Sequence, residues 1–251
     1  MPWGDWVALA AISAAAAFLQ AANGFGGAVL AAPFFLLVLE PGPAIQLLII
    51  LSLGMSVAVL PGMGHAVNVP LLLRLAAGSV IGLPLGLAVF GWADPVAVRA
   101  AVGATILGFA AVLAATRYRR RKVGLAMTPG RDLAVGAAAG IATALVAMAG
   151  PPVLIYLMLA DAPTFRIRAT LLAFFVLCYA ASILAHLATI GIPGETWAMA
   201  ATLLPPIWAA GWLGRRVGDR LGADAAALLA IAVLAAAGLY TVAAAARLAL
   251  S

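Results

Sequence analysis

The sequence predicts an all-α integral membrane protein made of two inverted-topology repeats, each a re-entrant broken-helix hairpin followed by three transmembrane helices. Three observations carry this prediction. The 251 residues are 66% hydrophobic and 9% charged, with a mean hydropathy of +1.17, whereas a soluble domain is roughly half apolar and about a quarter charged. Apolar runs near the length a bilayer core demands, about 20 residues at 1.5 Å per residue, recur along the whole chain. Two small-residue breaks fall at corresponding places in the two halves.

Glycine, proline and charge divide the chain into apolar segments near 6–22, 28–38, 44–61, 70–90, 96–116, 133–147, 151–160, 168–190, 196–213 and 225–249. The first opens Met1-Pro2-Trp3-Gly4-Asp5 without a basic start or a cleavage site, so it reads as mature structure. Segments 6–22, 28–38, 133–147 and 151–160 are short for a span and form two consecutive pairs, the sign of a repeat-built transporter. Residues 1–116 form the first repeat, 117–131 a basic cytoplasmic linker and 132–251 the second repeat of one membrane domain. Leu39-Glu40-Pro41-Gly42-Pro43 is echoed by Leu159-Ala160-Asp161-Ala162-Pro163, and later the Gly82–Gly86 stretch by Gly214–Gly218.

Charge chooses the topology. If each short pair were one broken spanning helix, the halves would run the same way, and Arg99, Arg166, Arg168, Arg215, Arg216 and Arg220 would lie outside. If each pair is a re-entrant hairpin, the second half is inverted. Arg74, Arg117, Arg119, Arg120, Arg121, Lys122, Arg131, Arg166, Arg168, Arg215, Arg216 and Arg220 then face the cytoplasm, leaving only Arg99 and Arg247 outside. Basic residues concentrate on the cytoplasmic side of membrane proteins, so the second model is expected, with both termini periplasmic, six spans and two hairpins.

The first break reads Asn23-Gly24-Phe25-Gly26-Gly27, and the second Ala147-Met148-Ala149-Gly150-Pro151-Pro152. A second half-helix begins after each, near Ala28 and near Pro151. Its free N–H groups and positive dipole end then face the protein interior and favour an anion. Pro151 and Pro152 each remove one donor from the second site. The substrate-region candidates are therefore Asn23, Gly24, Phe25, Gly26, Gly27, Met148, Ala149, Gly150 and Pro151. Asn23 either orients substrate or caps the half-helix. Gly78, Gly82, Gly86, Gly103, Gly108, Gly136 and Gly140 read instead as close-packing positions between helices.

No aspartate or glutamate lies deep in an apolar run, so the histidines are what remains for proton coupling. His65, at the cytoplasmic end of 44–61, is either a proton carrier or an ordinary loop residue, and His186 reads as a residue near the outer interface. Arg168 opens the span after the second hairpin, where it either snorkels to phosphate or turns inward to meet an anion; for Arg166 snorkelling is the simpler reading. Catalysis is not expected: there is no Ser-His-acid spacing, no metal-binding histidine pair and no phosphate loop. Cys178 is the only cysteine, which rules out an intrachain disulfide and a cysteine metal cluster; no metal or cofactor is expected. The basic residues lie between apolar spans, not on an aromatic-interleaved face, so nucleic acid is not an expected partner.

The first break with Pro33, the second-half Gly150-Pro151-Pro152, and Arg168-Ala169-Thr170 beyond it resemble the TauE/SafE sulfite exporter family over nearly the full length. The resemblance implies export of sulfite, sulfoacetate, another sulfonate or a related small anion, and it carries over Gly24, Phe25, Gly26 and Gly27 as substrate-region residues. The second break departs from the family: where relatives commonly read Gly-Phe-Ser-Gly, this chain has Leu145-Val146-Ala147-Met148. Beside Phe25, Met148 would suit an anion with an apolar portion. The expected function is thus secondary transport of a small anion across a bacterial inner membrane by a multi-pass protein. A passive anion channel is the alternative, and a non-transporting membrane subunit a more distant one. The expected partners are the anionic substrate, the lipid bilayer, H+ or Na+ as a coupling ion, and a second copy in a homodimer.

Overall fold

The computed structural model describes residues 3–23, 25–119, 124–218 and 238–239. Nine α-helices account for most of the described chain: α1 Trp3–Asn23, α2 Gly27–Val38, α3 Pro41–Val59, α4 Val69–Trp92, α5 Pro95–Arg119, α6 Pro129–Val146, α7 Gly150–Leu159, α8 Thr164–Thr189 and α9 Gly194–Gly218. A 3-10 turn, Gly64–Ala66, precedes α4. No strand occurs among the described residues. Proline sits in the first turn of α3, α4, α6 and α7, where its missing N–H is lost at no cost to the helix. At the start of α4, the Asn68 side chain accepts the Leu71 amide at 3.3 Å.

Both predicted breaks end helices. Gly26 adopts φ +98, a conformation that penalises any side chain, and α2 begins immediately after it. In the second break Ala147 takes φ 57, and the amides of Ala147 and Met148 satisfy the Thr143 and Ala142 carbonyls. The two hairpins are lopsided, which corrects the expectation of four short arms. α1 has 21 residues and α6 has 18, roughly 31 and 27 Å, against about 18 and 15 Å for α2 and α7. Hydropathy underestimates the long arms because their first turns carry Trp3-Gly4-Asp5 and Pro129-Gly130-Arg131-Asp132, polar residues that a helix start accepts. Five described helices are long and apolar enough to cross a membrane: α1, α3, α4, α5 and α8. The predicted span 225–249 lies almost wholly outside the described residues.

The long arm of each hairpin lies along a helix of the other half. α6 packs on α4 and α1 on α9, the two most extensive helix pairs described. Glycines allow the first of these. A Cβ on Gly78, Gly82, Gly136 or Gly140 would sit 2.1–2.3 Å from a carbonyl oxygen of the facing helix, on Leu133, Ala137, Leu75 or Ser79 respectively. These are the small-residue seams read from the sequence, spaced four apart on one face. Gly108 does not join them, since a Cβ there would meet nothing within 4 Å. On the other pair, Gly214 abuts the Phe18 carbonyl.

Hydrogen bonds fix the helix directions. Gln46, near the start of α3, donates to the Gly191 carbonyl just past the end of α8 at 2.8 Å. Asn68, beyond the end of α3, donates its amide to Thr170 Oγ1 near the start of α8 at 3.3 Å. Helices α3 and α8 are therefore antiparallel. Trp208 Nε1 of α9 donates to the Gly54 carbonyl of α3 at 3.1 Å, and Gly211 lies against Met55 and Val59, so α3 and α9 run parallel. At the base of the second hairpin, the fully buried Asp132 accepts from Tyr156 of α7 at 2.5 Å and pairs with Arg74 of α4 at 3.1 Å. Asp132 lies in the first turn of α6, so this carboxylate ties the mouth of the hairpin and does not sit deep in a span.

Candidate functional site

The tip of the first hairpin borders a small cavity between α1, α2, α3 and α9. Ser13, Ala16, Ala17 and Gln20 line it from α1, at spacings that put all four on one helix face. Gly27, Ala28, Ala31 and Phe35 line it from α2, and Ile207 closes it from α9. The α3 wall is Leu48, Leu51, Ser52 and Met55. About 20 Å³ is open to water centres, which is room for about one water. A polyatomic ligand would enter only if the hairpin shifted.

The chemistry of the wall is neutral and hydrogen-bonding. Ser13 Oγ and Gln20 Nε2 are buried without a partner among the described residues, both residues being only 3% exposed. Leaving such groups unpaired costs about 1–3 kcal/mol each. Beside them α2 begins without a side-chain cap, so its first-turn N–H groups and dipole end are directed toward the tip. Gln20 lies tight on this start, its Oε1 only 2.2 Å from where a Cβ on Gly27 would be. Hydroxyl, amide and backbone N–H donors around a small enclosed space suit an anion's oxygens, which accept several hydrogen bonds at once.

A positive charge stands behind the tip. Arg168 of α8 donates from its guanidinium to the Ala21 carbonyl, one of the last of α1. The side chain therefore turns into the protein, the inward alternative of the two read from the sequence, and it holds the C-terminal end of the long arm. Arg166 stays exposed, with its guanidinium over the Phe165 ring at 5.9 Å. His65 is exposed in the turn before α4, beside a groove shared with Asn68 and Arg166.

The other sequence candidates lie apart from this cavity. Phe25 packs edge-on against Phe109 at 6.1 Å and does not line this cavity. Met148 and Ala149 are fully buried, and Gly150 and Pro151 begin α7 in the core. Gly24 and the Asn23 side chain lie outside the described residues. Gly26 makes the turn and Gly27 is the one sequence candidate on the wall. The second tip is nonetheless linked to the α3 wall of the cavity. Tyr179 of α8 donates to the Ala147 carbonyl of the second tip at 3.2 Å, and its hydroxyl neighbours Ser52 of the cavity wall.

Ser13, Gln20 and Ser52 are functional candidates that a reading centred on glycine and proline passes over. The available signal is faint: two polar residues seven apart in the otherwise apolar run 6–22. No group of three or more metal-ligating side chains occurs among the described residues.

One family model, described as sulfite exporter TauE/SafE, matches residues 9–241. No curated protein and no solved structure matches the chain.

Proposed function

From its membership of the sulfite exporter TauE/SafE family, a family of membrane anion exporters, we propose that this chain moves sulfite or a related small sulfur-containing or organic anion, such as sulfoacetate or another sulfonate, across a bacterial inner membrane. The anion binds at the first hairpin tip. One observation carries the choice of site: Ser13 and Gln20 present buried polar atoms without partners beside the uncapped start of α2. An anion would satisfy both, and would draw further on the dipole end and on Arg168 behind it.

The transport cycle alternates access by rocking one repeat against the other. Support for two inverted repeats comes from the exchange of long arms, α1 onto α9 and α6 onto α4, and from the antiparallel course of α3 and α8. With a water-sized cavity, the described form is closed to the anion, so hairpin movement is a step of the cycle. The topology predicts the outcome of single-cysteine labelling in a Cys178→Ala background. A cysteine near Glu40 should label from the periplasm, while those near Arg120 and Arg216 should both be protected. Periplasmic labelling near Arg216 with protection near Arg120 would mean that the halves are parallel.

The site is tested by ligand-induced thermal stabilisation of the purified protein with sulfite, thiosulfate, sulfoacetate, taurine and simple carboxylates. A ligand at 100 times its Kd stabilises by about 2.7 kcal/mol. Gln20→Leu should weaken binding of the best of these by about ten- to a hundredfold, since a hydrogen bond to a charged group contributes about 1.5–3 kcal/mol. Arg168→Gln should also weaken it, and Arg168→Lys nearly as much if the planar fork is needed. Equal affinity in wild type, Gln20→Leu and Arg168→Gln would remove this cavity from the binding site.

A further inference from the structure

His186 is fully buried and is the last of three polar side chains, Tyr179, Ser182 and His186, that share one face of α8. The row starts at the site: Tyr179 touches the second tip at Ala147 and neighbours Ser52 on the cavity wall. It ends about 10 Å further along α8, next to the outer clasp between Gln46 and Gly191. Polar side chains thus connect the candidate anion site to the predicted periplasmic end of the helix.

The imidazole is held in a defined state. His186 Nδ1 lies 2.8 Å from the Ser182 carbonyl. A carbonyl can only accept, so Nδ1 carries the proton and Nε2 of the neutral ring presents a bare lone pair. That Nε2 is buried and has no partner among the described residues. Beside it α4 presents Phe90, whose ring centre is 6.3 Å away, and α3 reaches this end through Gln46. Neither bears a charge or titrates, and the other titratable groups on α8 itself are Cys178 and Tyr179, two turns back, and Arg166 and Arg168 at its start. Among the described residues no carboxylate pairs with the ring.

Resting on the proposed function above, we propose that His186 is the proton carrier of the transport cycle, taking a proton on Nε2 that is co-transported with the anion held at the first tip. The bound anion supplies the missing counter-charge. The first tip lies near the start of α8, where Arg168 holds the Ala21 carbonyl, so the two unit charges are on the order of 20 Å apart; at an effective dielectric near 20 they change each other's binding by about fourfold. The effect is reciprocal, so a protonated His186 tightens anion binding by the same factor. The step is a simple protonation: Nε2 accepts H+ to form imidazolium and returns it to water once the anion has left.

Proteoliposomes with sulfite as the probe and the membrane potential clamped provide the test, with protein-free liposomes subtracted. An acid-outside pH gradient should raise wild-type sulfite uptake about fourfold. In His186→Gln and His186→Asn, uptake should be the same with the gradient as without it; asparagine keeps a donor for the Ser182 carbonyl. Both variants meet the same mixture of sulfite and bisulfite as the wild type, so the titration of the probe cancels. Variants that respond like the wild type, or a wild type indifferent to the gradient, would overturn the proposal. Should neither variant fold, internal acidification during wild-type entry of sulfoacetate, which carries no group titrating near neutral pH, supports it and constant internal pH overturns it. Absence of wild-type sulfite flux even without a gradient would instead defeat the transport reading beneath it.

Discussion

Gly82→Val is expected to yield no stably folded protein. A Cβ at this position would lie 2.1 Å from the Ala137 carbonyl oxygen and 2.9 Å from its Cα. Both are backbone atoms of α6, so no side chain can rotate away. Helices α4 and α6 would have to separate along their length, and the contacts of Gly78, Gly136 and Gly140 on the same seam would loosen with them. A single overpacked core position costs typically 1–3 kcal/mol, and here the displacement is shared by a whole helix pair that joins the two halves. Gly108→Val is the control, because a Cβ there meets nothing within 4 Å. Size-exclusion profile and thermal unfolding should show aggregation or a collapse of Tm for Gly82→Val and a near wild-type profile for Gly108→Val.

Gly27→Val is expected to abolish sulfite binding and transport while leaving the helices assembled. Its Cβ would fall 2.2 Å from Gln20 Oε1, the end of a flexible side chain, so Gln20 yields and the backbone does not. The cost falls on the site: the amide is driven off the cavity wall and the valine branches occupy the space at the start of α2. Gly27 is helical and its φ lies outside the left-handed region, so a branched residue fits its backbone. Gly26→Val is a poorer test, because φ +98 adds strain whatever the space. Helicity by circular dichroism and elution volume should match wild type for Gly27→Val. Sulfite-dependent stabilisation should vanish, and flux should fall to the protein-free level. Wild-type flux in a folded Gly27→Val protein would count against the tip as the site.

The sequence made the helix breaks and the glycine seams legible for a physical reason. Gly26 and the Gly150-Pro151-Pro152 run act through local backbone rules, and Gly78, Gly82 and Gly86 reveal one face by their fourfold spacing. The lengths of α1 and α6 were hidden because hydropathy discounts polar first turns that helix geometry accepts. Most of the cavity wall was hidden for another reason. Ser13, Gln20 and Ser52 are isolated polar residues in apolar runs, and nothing local distinguishes them from residues satisfied by a neighbouring carbonyl, as Ser56 is by Ser52. Only the packing of α1 against α2, α3 and α9 brings them to one small space. Arg168 was legible as a choice between lipid and interior, and the Ala21 carbonyl decides between these. His186 read as an interfacial residue because it comes late in an apolar run, yet it is fully buried, with Phe90 of α4 beside it.

Efflux of sulfite from loaded proteoliposomes is the most direct measurement of the central claim, that this chain carries a small anion through the cavity at the first hairpin tip. Wild-type protein should release sulfite well above protein-free liposomes, and Gly27→Val and Gln20→Leu, reconstituted to the same density, should fall toward that background. Release from wild-type vesicles no faster than from protein-free ones, across sulfite, thiosulfate and sulfoacetate alike, would contradict transport, and equal release by all three proteins would contradict the site.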